Sequence, residues 1–291
     1  MEHVDKIVAI IEEASEFVFD DLGLPALGLY PEAQWFKDQL VLRSEFASDR
    51  SSSGIYLITA HYLSEASLEM KAMAVLIRAR VVHYSLAQLV RAIVERAGVV
   101  GWILDDPGSW QLRMRRADLA WAVSNFKYTN LYRTSDPDAV EHLKTERAEI
   151  KSELEHLFPI SDEVGFVTSY NGDPPGWMVC GDSYPSFRNL SVEAFKSPNT
   201  ESTLAKYVYD YLAVHSHPTI HAGMELVEQI STEDSEYKMT DADVNRLVRI
   251  ALTALLNGIR RWDGYFRDNP PQRVFFRESL FDRFDALGLG D

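Results

Sequence analysis

Residues 240–267 read TDADVNRLVRIALTALLNGIRRWDGYFR. Val244, Leu247, Val248, Ala251, Leu255, Ile259, Trp262 and Phe266 recur three or four positions apart. That period lays them along one face of a long helix. Thr240, with Asp243 three residues on, resembles a capping box at its start. A face this apolar needs other elements packed against it.

The rest of the chain repeats the period. Val4, Ile7, Val8, Ile11, Ala14, Phe17 and Val18 predict an N-terminal helix. A second starts at Pro31 and buries Trp35, Phe36 and Leu40. A third opens at Ser51–Gly54 and runs to Arg80. A fourth spans 84–104 and stops at Asp106-Pro107-Gly108. A fifth covers 110–131. Asp136-Pro137 starts a sixth, 139–158, laced with Glu/Lys pairs. Further helices are expected at 203–215, 218–229 and 277–287. Alternation with period two persists nowhere. The fold class expected is all-α, an irregular bundle of about eight to ten helices in a single domain, 1–291. Residues 159–200 carry five prolines and four glycines. They are expected to form a long irregular insert or lid, with one short helix near 192–196.

Composition narrows the function classes. Of 291 residues, 29 are Lys or Arg and 44 are Asp or Glu, a net charge of −15. A generally basic nucleic-acid binder is excluded. The 14 Phe, 13 Tyr and 6 Trp exclude a disordered chain. The lone Cys180 excludes a disulfide scaffold and reads as an incidental thiol. With no signal-like N-terminus and no long apolar run, the expected location is cytoplasmic, without membrane contact. The charge is uneven. Residues 78–133 hold nine basic and four acidic side chains, and 246–283 hold eight and four. These Arg-rich segments suit an anion surface or internal partners for the acidic segments.

Two stretches can carry chemistry. On the fourth helix Arg91, Glu95, Gly98 and Trp102 share a stripe, and Arg113, Arg115 and Arg116 follow on the fifth. Arg113 and Arg116 are candidate anion ligands; an ion-pair ladder between two helices is the plainer alternative. Residues 207–223, YVYDYLAVHSHPTIHAG, hold His215, His217 and His221. Pro218 pushes His217 out of helical geometry, to a helix break. His217 and His221, four apart, with Glu65, are candidate metal ligands; capping or core histidines are the alternative. No HExxH, P-loop, GxGxxG or GxSxG occurs.

The pattern Arg91-x-x-x-Glu95 leading to Trp102-Ile103-Leu104-Asp105, with Arg113 and Arg116, resembles one in a group of uncharacterised bacterial all-helical proteins. Tyr209-x-x-Leu212-Ala213-x-x-x-His217-x-Thr219 resembles that group's companion motif; Ala213 stands where Ser is usual. Some of the group look like distant relatives of HEPN domains, the helical bundles of RNases, toxins and phage-defence systems. Arg78 and His83 fit the HEPN Arg…His spacing. The resemblance implies an RNA-binding or RNA-cleaving protein of a defence or stress system. RNA or another anionic ligand is then the partner, and a homodimer is compatible. His217 would act as acid and base, Arg91 and Arg116 would hold phosphate, Glu95 would orient Arg91 and Tyr209 would orient His217. The alternatives are a metal-dependent enzyme for a small apolar substrate and a non-catalytic interaction module.

Overall fold

The computed structural model describes residues 2–22, 29–45, 50–79, 84–104, 110–158, 166–167, 173–196, 202–216 and 241–287. Among them are ten α-helices: α1 Glu2–Asp21, α2 Gln34–Glu45, α3 Arg50–Arg78, α4 Tyr84–Leu104, α5 Trp110–Tyr132, α6 Pro137–Leu157, α7 Phe187–Phe195, α8 Ser202–Ser216, α9 Asp241–Arg267 and α10 Pro271–Asp285. The fold is an all-α multi-helix bundle. The helix expected at 218–229 lies outside the described residues.

Packing groups the chain into two compact units, a finer division than the single domain expected from sequence. The first comprises 1–40, 60–104 and 187–291, the second 41–59 and 105–186.

The core of the first unit is α9. All eight residues of its apolar stripe are buried. At Gly258 a Cβ would stand 3.4 Å from the Ala97 Cβ of α4 and 3.1 Å from Leu63, so α9 and α4 approach closely. α9 ends where Asp268 and Asn269 take φ of 57° and 48°, left-handed values that Asp and Asn tolerate better than most residues. Pro270 and Pro271 then start α10. Tyr265 Oη donates to Asp38 Oδ2 of α2 at 2.8 Å, which satisfies a buried carboxylate. Ser67 Oγ of α3 donates to the Ser15 carbonyl of α1 at 2.8 Å.

The second unit is built on α5 and α6. Asp136 accepts the Ala139 N–H at 2.9 Å, and Pro137 takes the first helical position. Where an irregular insert was expected, the described residues hold a small antiparallel sheet: β1 Phe166–Val167, β2 Met178–Val179 and β3 Asp182–Ser183, in that order. β2 and β3 pair Val179 with Asp182. The two-residue turn between them has φ of 51° at Cys180 and 78° at Gly181. Positive φ at both positions gives the twist that a tight hairpin needs.

Candidate functional site

Gly98 decides how α4 meets α7. A Cβ there would run into the Leu190 carbonyl and stand 2.9 Å from the Leu190 Cβ. The missing side chain therefore lets the α7 backbone rest on α4. One turn from Leu190 stands Phe187, two turns from Gly98 stands Arg91, and these two meet. The Arg91 guanidinium carbon lies 4.3 Å from the centre of the Phe187 ring. The Tyr209 ring, on α8, lies 5.4 Å from that of Phe187, tilted by 45°. Buried Ala205, Val208 and Leu212 fix the inner face of α8, which leaves Tyr209 half-buried beside it. Arg91, Phe187 and Tyr209 thus form a cation–aromatic–aromatic layer at the surface of the first unit. Glu95 follows one turn along α4 and is also half-buried, while Trp102 at the far end of the stripe is buried.

Further along α8, Tyr207 and Tyr211 stack at 6.1 Å, and the Arg246 guanidinium lies 5.5 Å from the Tyr211 ring centre. Burial pushes the Tyr211 hydroxyl above its ordinary value. Asp243 adds to that and Arg246 opposes it.

The other predicted residues are placed as follows. Glu65 accepts from Arg96 Nε at 2.8 Å and stands 3.3 Å from His61 Nε2; Arg96 also pairs with Glu69 at 3.3 Å. Glu65 is therefore one member of an α3–α4 ion-pair ladder. His217, His221 and His83 lie outside the described residues. Among the described residues no group of three His, Cys, Asp or Glu is placed to hold a metal ion. Arg78 pairs with Glu12 at 2.9 Å.

Arg113 and Arg116 belong to the second unit. Arg113 is 1% exposed, so the expected contact between it and an external phosphate would require its surroundings to open. Arg116 Nε donates to Asp182 Oδ2 at 3.0 Å, and Arg115 Nη2 donates to the same oxygen at 3.1 Å. The β2–β3 hairpin carries Asp182 to them. The structure thus brings Arg91 and Tyr209 together through Phe187, and it gives Arg116 an internal carboxylate.

Sequence reasoning missed Phe187. It lies in the Gly/Pro-rich segment, but Phe187, Leu190 and Ala194 recur at helical spacing and could have revealed α7. Also missed was the cluster of Asp263, Arg273 and Arg277, three buried charged residues split by the Pro270-Pro271 corner. Arg273 and Arg277 lie 10 and 14 residues from Asp263, with the break between α9 and α10 in between, so no one helix carries all three. Arg249, Arg261 and Arg283 pair with Asp285, Glu193 and Glu13, so this basic segment has internal acidic partners.

No helix among the described residues is long and apolar enough to cross a membrane. Comparison with protein-family models, with curated proteins and with solved structures found no match.

Proposed function

We propose that this protein binds RNA as a HEPN-like helical bundle, and that single-stranded RNA meets it at Arg91, Phe187 and Tyr209. The observation that carries this reading is the half-buried layer in which Arg91 lies over Phe187, with Tyr209 beside it. Unpaired bases stack on aromatic rings and guanidinium planes, and a stacked Arg directs its N–H donors along the ring plane, toward phosphate. A local cation in a chain of net charge −15 also gives the ligand a defined point of entry.

In this reading Arg91 holds phosphate and Glu95, one turn away, sets its orientation. Tyr209 lies on α8 and His217 follows that helix in the sequence; the HEPN-like resemblance gives this histidine the role of acid and base on the bound strand. Arg116, already held by Asp182, contributes to the fold of the second unit rather than to RNA.

The test uses the purified full chain and a short single-stranded RNA at low salt. Retention that weakens as salt rises is expected. Cleavage, where it occurs, is lost in His217→Ala while retention persists. No retention at low salt sinks the reading.

A further inference from the structure

The α8 helix carries a second aromatic layer beside the one assigned to RNA. Tyr207 and Tyr211 lie one turn apart on it, and their rings stack at 6.1 Å with 22° between the planes. Tyr207 is 51% exposed and Tyr211 half-buried, so the outer ring of the pair faces solvent. Arg246 of α9 backs the pair. Its guanidinium carbon lies 5.5 Å from the Tyr211 ring centre, and its Nη1 stands 3.8 Å from Asp243 Oδ1.

At about 100° per residue the two layers occupy opposite flanks of α8. Buried Ala205, Val208 and Leu212 mark the inner face. Tyr209 leaves the helix on one side of that face, Tyr207 and Tyr211 on the other. Lys206 and Asp210, both exposed, lie on the outer face between the flanks. A strand seated on Tyr209 therefore reaches Tyr207 by crossing solvent-facing helix.

Charge separates the layers. The first has the Arg91 guanidinium over a ring. In the second, Arg246 has Asp243 beside it and Lys206 has Asp210 one turn on, so the charges sum to zero. A layer without net charge does not draw in phosphate, but the face of a tyrosine stacks with any base. Tyr207 is already held against Tyr211, so little side-chain freedom is lost when a base settles on it. An aromatic pair four residues apart steadies a helix only slightly. The stability of α8 therefore does not account for the exposed ring.

We propose that the strand held at Arg91, Phe187 and Tyr209 continues over the outer face of α8 and stacks a further base on Tyr207. This rests on the RNA reading and extends it: the first layer takes phosphate and base, the second takes base alone. The two leave different signatures. Loss of the Arg91 contact removes the neutralisation of a phosphate, which weakens binding and flattens its dependence on salt. Loss of the Tyr207 ring removes stacking, which weakens binding by the same factor at every salt concentration.

Fluorescence anisotropy of labelled hexauridylate and hexaadenylate with the full chain, over a range of salt, tests this. The unaltered chain should bind both. Tyr207→Ala should weaken each about fivefold or more with an unchanged salt slope. Tyr207→Leu, which keeps apolar bulk and helix propensity but not the flat face, should weaken them likewise. Tyr207→Phe, which keeps the ring, should bind as the unaltered chain does. Arg91→Ala should lower the slope by about 0.7, the value for one phosphate of a single strand. Circular dichroism checks that the helices remain in each variant. Unaltered affinity in Tyr207→Ala and Tyr207→Leu, an equal loss in Tyr207→Phe, or a changed salt slope in Tyr207→Ala each overturns the second layer; the first layer then stands where Arg91→Ala still weakens binding. No binding by the unaltered chain overturns both.

Discussion

Arg273 Nε donates to Asp263 Oδ1 at 2.6 Å, across the α9–α10 corner, with both side chains buried. Arg277 donates to the other oxygen of the same carboxylate and to Asn269 Oδ1. The arrangement closes the Asp268-Asn269-Pro270 turn from inside. Burial pushes the Asp263 carboxyl up from its ordinary range, against the pull of Arg273, Arg277 and Arg267. Burial likewise pushes the Arg277 guanidinium down, against the pull of Asp263. Both partners have lost hydration, so the cluster is costly to break and gives little net stability when intact.

This asymmetry gives the first expected outcome. Asp263→Ala leaves two buried guanidiniums without their carboxylate, and urea denaturation should show a loss of about 3–5 kcal/mol. Replacing the three together, Asp263→Leu with Arg273→Met and Arg277→Met, should recover most of that loss. A triple variant less stable than Asp263→Ala would contradict the account.

Two helical glycines should respond in opposite directions. Gly98→Ala forces a methyl into the Leu190 carbonyl, and overpacking of this kind costs about 1–3 kcal/mol. Gly54→Ala meets open space, so the helix propensity of alanine should stabilise by about 0.5–1 kcal/mol. Thermal melts of the two variants check the contrast.

Tyr211 should make the protein sensitive to alkali. Its hydroxyl loses its proton at higher pH in the folded chain than in the unfolded one. Its stabilising contribution is therefore complete below the unfolded value, about 10. It is lost as pH rises through the folded value, because the unfolded chain ionises first. The melting temperature of Tyr211→Phe should fall less than that of the unaltered chain between pH 9 and 11. Parallel declines would contradict this.

The long helices were legible because their burial pattern is their sequence pattern. α4 has the bounds expected, and the eight-residue stripe of α9 is buried throughout. The hairpin at Val179–Asp182 was not legible. Its turn puts Cys180 where Asn, Asp or Gly usually advertises positive φ, and two-residue strands are too short to show alternation. α10 was expected to start at Arg277, but Pro271 begins it, because Pro suits the first turn of a helix as readily as it breaks one. In the candidate site, Arg91 and Tyr209 could be named from motifs. Their meeting depends on Phe187, which reaches them only because Gly98 lets α7 rest on α4. That is a tertiary contact between segments about 90 residues apart, and spacing along the chain does not encode it.

The central claim is that RNA stacks on the layer of Arg91, Phe187 and Tyr209. Photocrosslinking of a 4-thiouridine-containing single strand to the full chain, with the adducts mapped by mass spectrometry, tests it most directly. The account predicts adducts on peptides containing Phe187 or Tyr209, reduced at least tenfold in Arg91→Ala. Adducts only on other peptides, or an unchanged yield in Arg91→Ala, would contradict it.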